Sequence, residues 1–447
     1  MNTTNHRQKS GALPTHFRPF LFTRPFWQCC IILFYVACLI FPMAATAAPM
    51  LSPATINSSG LVLVATFEDG KLYQAGKFKV LELNGTYQKM GRQYGGLLGA
   101  EIQGMYAVVT EQYEKNHIVN PQATLPDFAA KLFSLYPRQF QEMARGIAET
   151  SGMETDKLAV LNEFFDYMLL YSTNATQNNH CATMTAWGTY TSDSSLVMGR
   201  NFDFPAFFRE FDPYITVVVY NPSDTAQSAA VVTYPGQIGS IQTFNSPGLI
   251  LENNDGSSCG DPERYFGRRI PFLISDLEMM LDHSTLAGLD AALHTRRLHY
   301  PLIFNLADAT TANTYEISTA DMKKRTGGTT GLLIGVNHFI SPDWPLAMSE
   351  SAALKTRIED SAGRYRNLAA LAEAYKGSLD SRKMMEILDI PVAQGGATPQ
   401  DRSIYQFVAV PQQGKIWLKA LSYEDWTEID LTGLYSPTRN QDAAISP

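Results

Sequence analysis

The sequence predicts a layered α+β fold in which a mostly helical segment precedes a strand-rich one. Three observations point to it. A long helical period starts at Tyr87, short β-branched and aromatic runs start at Cys181, and further helices fall between later strands. Strands, then helices, then strands again indicate packed layers rather than regular βαβ alternation. With 447 residues, 45% hydrophobic and 17% charged, the chain has the material for a sizeable core.

The elements follow in order. Residues 77–83 read as a short strand, and Asn84-Gly85-Thr86 as a turn. From Tyr87, the apolar residues Met90, Tyr94, Leu98, Ile102, Met105 and Val109 recur at steps of three and four. That spacing lines one face of a long amphipathic helix. Gly91, Gly95, Gly96 and Gly99 weaken a helix by themselves, so their presence implies close packing against another element. Residues 125–150 and 155–171 read as two more helices, with Asp156 as an N-cap. Residues 173–180 form a polar loop leading to Cys181. Strands are expected at 182–191, 196–200, 214–220, 229–234, 302–307, 313–318, 332–339, 404–410 and 414–420. Helices are expected at 270–282, 286–296, 359–376 and 381–388.

The N-terminus differs in character. His6, Arg7, Lys9, Arg18 and Arg24 make a basic lead, residues 26–43 are almost wholly apolar, and Ala44-Ala45-Thr46-Ala47-Ala48 follows. This is the pattern of a secretory signal peptide cut near Ala47. The alternative is an uncleaved anchor helix. The reading gives a signal at 1–47, a helical segment at 48–180 and a catalytic segment at 181–447, in an exported protein, periplasmic or secreted. A net charge of −8 argues against nucleic acid or an anionic membrane surface as the main partner. No stretch after residue 50 is long and apolar enough to span a bilayer.

Of five cysteines, Cys29, Cys30 and Cys38 fall in the signal, leaving Cys181 and Cys259. Two cysteines make no disulfide framework. A bridge between them would consume the Cys181 thiol. No CxxC or Cys/His cluster suggests zinc, and His294 and His299, five apart, do not share a helix face. No metal or cofactor is expected.

The block from Cys181 to Phe204 places a thiol, the guanidinium of Arg200 and the carboxylate of Asp203 on two adjacent short strands. A thiol nucleophile needs a base, and three readings are open. His338 serves as base, as in a papain-like peptidase. Cys181 is a buried structural cysteine, as in a non-catalytic exported binding protein. Or a cut between His180 and Cys181 frees an α-amino group, of ordinary pKa about 7.7–8.0, beside the thiol it would deprotonate. Arg200 and Asp203, three apart, also suit a structural salt bridge. Asn245 before Ser-Pro-Gly suits a turn. The aromatics Trp187, Phe202, Phe204, Phe207 and Phe208 suit a core or an acyl pocket.

The sequence resembles the N-terminal-nucleophile hydrolases of the acyl-coenzyme A:6-aminopenicillanic acid acyltransferase type, related to choloylglycine hydrolases and penicillin V acylases. The resemblance rests on Val80 to Thr86, Met90-Gly91-Arg92-Gln93-Tyr94-Gly95, Arg145 to Glu149 with Leu161-Asn162, and the Cys181–Asp203 block. It continues in Phe244-Asn245-Ser246-Pro247-Gly248-Leu249, Asn337-His338-Phe339 and Asp360-Ser361-x-x-Arg364-Tyr365. It implies a four-layer αββα sandwich and a self-processing amidohydrolase or acyltransferase acting on linear amides of a small acyl-bearing molecule. It further implies that Cys181 is nucleophile and, through its new amine, base. Arg200 would act on the thiolate, Asp203 on the amine, Asn337 and Asn245 on the oxyanion, and Arg364 on the network around them. Many self-processing members place glycine before the cysteine. Here it is His180, which bears on how readily that bond opens.

Overall fold

The computed structural model describes residues 55–56, 60–116, 118, 123–171, 181–224, 226–257, 268–328, 330–342, 344 and 352–436. The signal at 1–47, the polar loop at 173–180 with His180, and Cys259 lie outside the described residues. Residues from Ala48 onward belong to one unit.

That unit contains two β-sheets stacked between helices. Before Cys181 come β1 (Thr55–Ile56), β2 (Val62–Phe67), β3 (Gly70–Ala75) and β4 (Phe78–Gly85). The helices α1 (Tyr87–Lys115), α2 (Leu125–Phe133), α3 (Arg138–Ser151) and α4 (Thr155–Tyr171) follow. After Cys181 come β5 (Ala182–Ala186), β6 (Val197–Asp203), β7 (Thr216–Pro222), β8 (Ala229–Thr233), β9 (Gln242–Asn245) and β10 (Ile250–Asp255). Next are α5 (Phe272–Asp282), α6 (Leu286–Thr295), β11 (Leu302–Ala307), β12 (Ala312–Ile317), β13 (Met322–Thr326) and β14 (Leu332–Gly335). The chain closes with α7 (Ala352–Ala374), α8 (Ser381–Leu388), β15 (Ser403–Val410), β16 (Lys415–Ala420) and β17 (Glu424–Asp430).

The larger sheet runs β1-β2-β3-β4-β7-β8-β9-β10-β11-β12-β13, and the smaller runs β14-β5-β6-β15-β16-β17. Pairings are antiparallel except β4 with β7, which are parallel. The sheets face each other through side chains: Phe244 of β9 meets Phe407 of β15 edge-on at 5.6 Å, and the Tyr405 hydroxyl donates to Gln242. On the outer face of the larger sheet lie α1 and α5. On the outer face of the smaller lie α7 and α8, where Leu368, Ala372, Met384 and Leu388 bury Ala182, Met184, Val197 and Val408. The order is α/β/β/α, the four layers that the resemblance implies.

The helical period from Tyr87 is realised as α1, whose buried face includes Met90, Tyr94, Leu98, Ile102, Met105 and Val109. Leu98 has non-helical torsions (φ −125°, ψ 22°), a kink beside the Gly95-Gly96 pair. The glycines do allow close packing. A Cβ on Gly91 would stand 2.1 Å from Met143 O, and one on Gly146 of α3 would stand 2.2 Å from Gln88 O. Each backbone therefore fits into the other.

Several sequence expectations shift. The expected helix 125–150 is two helices, α2 and α3, broken before Pro137, which sits at the N-cap of α3 and lacks the N–H to continue a helix. Asp156 lies in the first turn of α4 rather than capping it. The strand expected at 182–191 stops at Ala186, followed by a 3-10 turn at Gly188–Tyr190. α7 begins at Ala352, earlier than expected. Strands β1, β2, β3, β9, β10, β13 and β17 have no counterpart in the sequence reading.

The helix before Cys181 shares its core with the strands after it. Phe165 of α4 packs against Phe202 at 5.5 Å and Phe204 at 4.6 Å, and Phe204 against Phe208 at 4.4 Å. Trp187, Phe202, Phe204 and Phe208 are buried, and Phe207 is half-buried.

Gly91→Ala should destabilise the protein by about 1–3 kcal/mol in urea unfolding, because the methyl meets backbone. At an open helical site the same change stabilises by up to about 1 kcal/mol. A gain in stability would show that α1 and α3 are not interlocked at this point.

Candidate active site

The site grows from one antiparallel pair. β5 and β6 are in register with Ala182 opposite Asn201 and Thr183 opposite Arg200. Side chains alternate across a sheet, so Arg200 and Phe202 point between the sheets, and Asn201 points to the helix layer, where its amide donates to Thr398 Oγ1 at 2.8 Å. Cys181, one residue before β5, is buried. Arg200 Nη2 donates to Cys181 Sγ at 3.3 Å, and Sγ lies 3.8 Å from Asp203 O.

The three-residue step from Arg200 to Asp203 is odd, so the two side chains leave the strand on opposite faces. The acid that pairs with Arg200 is Glu252 of β10, with Nε to Oε2 at 2.8 Å and both side chains fully buried. Glu252 also accepts from Thr183 Oγ1 and Asn305 Nδ2. Arg200 further donates through Nε to Asn254 Oδ1 at 3.2 Å and through Nη2 to Asn253 O at 2.6 Å. Asp203 accepts from Ser403 Oγ at 2.5 Å through Oδ1, and its buried Oδ2 has no hydrogen-bond partner among the described residues.

On the other side of Cys181, Arg364 of α7 donates through Nη1 to Cys181 O at 2.8 Å and through Nη2 to Asn337 Oδ1 at 3.0 Å. Asn337 follows β14, and its Nδ2 donates to Asp255 O at 3.0 Å. The structure thus gathers Cys181, Arg200, Asp203, Asn337 and Arg364 into one connected group. Asn245 is not part of it. It ends β9, donates to Met280 O at 3.0 Å and His283 O at 2.9 Å, and accepts from Leu249 N at 2.9 Å. Its amide ties a turn to the end of α5. His338 is joined to Ser361, with Nδ1 to Oγ at 2.8 Å.

The electrostatics follow from burial. Burial pushes the Cys181 thiol up to about 11, against the pull of Arg200 and with Asp203 and Glu252 adding to the rise. Arg200 favours a thiolate, but burial outweighs it, and Glu252 offsets a smaller part of its pull. Burial also raises Asp203 to about 7, opposed by the Ser403 hydrogen bond and by Arg364 and Arg200. His338 is lowered to about 4 by burial, then by Arg364. Among the described residues no group of three or more His, Cys, Asp or Glu side chains is placed to hold a metal ion.

Sequence reasoning missed Glu252, Asn253, Asn254 and Asp255, all on β10. The signal was there in another form: four consecutive polar residues following the apolar Leu249-Ile250-Leu251, an odd sequence for a buried strand.

No family model matches this chain. It is similar to an uncharacterized protein of Archaeoglobus fulgidus, 23% identical over 392 residues, with 76% of this chain and 63% of that protein covered. The chain thus spans just under two thirds of that relative's length. Among solved structures it is similar to a Caenorhabditis elegans ortholog of N-acylethanolamine-hydrolyzing acid amidase (14% identity, TM-score 0.40, 56% of this chain and 100% of the other). It is also similar to a mutant conjugated bile acid hydrolase of Clostridium perfringens (13%, 0.40, 56% and 93%) and to penicillin V acylase of Agrobacterium tumefaciens (14%, 0.39, 56% and 86%).

Two outcomes test this electrostatic account. Glu252→Gln leaves Arg200 buried without its counter-charge. It should cost about 3–5 kcal/mol of stability while raising the rate of Cys181 alkylation by iodoacetamide at pH 8 by up to about tenfold, one pKa unit at most; slower alkylation would contradict the balance. Asp203 has a folded pKa above its unfolded value, so its contribution to stability is fully present below about pH 4 and is lost as pH rises through about 7. In an uncut Cys181→Ala background, Asp203→Asn should flatten the decline in melting temperature between pH 4 and 7; an unchanged slope would exclude Asp203 as its source.

Proposed function

We propose that this chain is an exported, self-processing cysteine amidohydrolase of the N-terminal-nucleophile type, acting on linear amides of small acyl-bearing molecules. Export rests on the basic lead, apolar run and Ala-x-Ala site at the N-terminus. The observation that carries the catalytic reading is the pairing of contacts at Cys181: Arg200 on its sulfur and Arg364 on its carbonyl, with Arg364 also fixing Asn337.

A thiol with a pKa raised to about 11 is protonated at neutral pH and needs a base as it attacks. Among the described residues, the groups hydrogen-bonded to Sγ are a guanidinium and a backbone carbonyl, and neither is a base that removes its proton. His338 bonds Ser361 and is itself held well below the usual histidine range, which weighs against the papain-like alternative. The α-amino group released by cutting the His180–Cys181 bond is the base that remains. Oδ2 of Asp203, without a partner among the described residues, is a ready acceptor for one of its hydrogens.

In this mechanism the amine takes the thiol proton as sulfur attacks the amide carbon. The tetrahedral oxyanion takes hydrogen bonds from neutral donors, of which the Asn337 amide is the candidate on this side of the site. The carbon–nitrogen bond breaks, the proton leaves with the departing amine, and a thioester remains. Water, deprotonated by the same α-amine, releases the acid and the free thiol. A second amine in place of water makes the reaction an acyl transfer.

Purified protein should run as two fragments of roughly 15 and 30 kDa, scaled from chain length, with the larger beginning at Cys181 on N-terminal sequencing. Cys181→Ala should remain one chain; two fragments cut at residue 181 in that variant would exclude self-processing by this thiol. Iodoacetamide should abolish amide hydrolysis in step with Cys181 labelling. A labelled protein with undiminished turnover would exclude Cys181 as the nucleophile, and a protein with no amide turnover at all would favour the binding-protein alternative.

A further inference from the structure

Asn337 is held at three atoms, and two of the contacts come from one helix. Ser361 and Arg364 lie three apart on α7, hence on one face, and both are essentially inaccessible, at 0% and 1% exposure. Arg364 takes the Asn337 side-chain oxygen. Ser361 Oγ accepts the Asn337 backbone N–H at 2.8 Å. The same Oγ lies 2.8 Å from His338 Nδ1.

A serine hydroxyl has one proton and two lone pairs. With Asn337 N–H donating into Oγ, its own proton is available to a single acceptor, and among the described residues His338 Nδ1 is the one within reach. Donation there takes a bare Nδ1, that is, a neutral His338 ring with its hydrogen on Nε2, the arrangement that gives the serine proton a partner. Burial and the Arg364 charge both keep that ring uncharged. The relay therefore runs in one direction, Asn337 N–H to Ser361 O–H to His338 Nδ1.

The rest of this loop is anchored elsewhere. The Ile340 and Ser341 N–H groups and Trp344 Nε1 all donate to the Glu316 carboxylate of β12. The Asn337 end thus depends on Ser361, Arg364 and Asp255 O, and the far end on Glu316.

We propose that Ser361 is a positioning residue for the reaction: by taking the Asn337 N–H and locking the His338 tautomer, it sets where the Asn337 amide stands relative to Cys181. Ser361 does not touch the reacting atoms. For its kinetic consequence the proposal rests on the amidohydrolase reading. A donor displaced by about 1 Å loses roughly a hundredfold in rate, and that is the size of effect expected.

The experiment uses the full mature protein, N-acyl-4-nitroanilides of varied chain length, and ¹⁵N-histidine NMR. Ser361→Ala should lower kcat roughly a hundredfold with KM within about twofold, and Ser361→Thr, which restores the hydroxyl, should recover at least about a tenth of the lost rate. A wild-type kcat in Ser361→Ala overturns the proposal, as does a loss fully explained by a smaller folded fraction in thermal melts. In NMR, the His338 signals, assigned by their disappearance in His338→Asn, should show the Nε2–H tautomer in the parent and a shifted Nδ1 in Ser361→Ala. An unmoved Nδ1 overturns the relay. If the parent hydrolyses no anilide but is shifted in NMR by Ser361→Ala, the relay stands and the amidohydrolase reading is what fails.

Discussion

The buried pair of Arg200 and Glu252 is the constraint on which the rest of the site depends. It spans the two sheets, with the arginine on β6 and the glutamate on β10, and both charges are shut off from water. A pair so deep is tolerated because each partner has further hydrogen bonds: Asn253 O and Asn254 Oδ1 for the arginine, Thr183 and Asn305 for the glutamate. Removing either charge would strand the other. The pair therefore fixes the spacing and register of the sheets at the point where Cys181 enters, and Arg200 meets the sulfur from a position it cannot easily leave.

This arrangement changes what the arginine does. An isolated cation beside a thiol creates a standing thiolate. Here burial outweighs the arginine, with Glu252 offsetting part of its charge, so Arg200 supplies mainly direction, an N–H aimed at sulfur, and the thiol keeps its proton. Under the proposed function, the thiol would then wait on the base that maturation supplies.

The parts legible in sequence were those whose partners lie nearby in the chain. Cys181, Arg200 and Asp203 stand out because a single hairpin brings them together, and the glycines of α1 because their spacing contradicts helix propensity unless another helix approaches. Glu252 and Asn254 were hidden, since Asn and Asp are depleted in strands and β10 is buried for its polar side chains rather than its apolar ones. The Arg200–Asp203 salt bridge considered from spacing fails on strand parity, which sends the two side chains to opposite faces. Asn245 looked chemical in its motif, yet its amide is occupied by the backbone of α5 and its own turn. Ser361 carries no local signal of its own; its partners, Asn337 and His338, are more than twenty residues away in sequence, beyond any local pattern.

The aromatic packing of α4 bears on what maturation would mean for the chain. Phe165 belongs to the segment before Cys181, but its neighbours Phe202, Phe204 and Phe208 belong to the segment after it. A cut at residue 180 leaves this shared core intact, so the two pieces stay together without a covalent link. Unfolding then acquires a different character. An uncut chain refolds as one molecule, whereas a cut one must find its partner again, at a rate and with a stability set by concentration. Cleavage would thus turn a reversible fold into one whose persistence is governed by how slowly it opens.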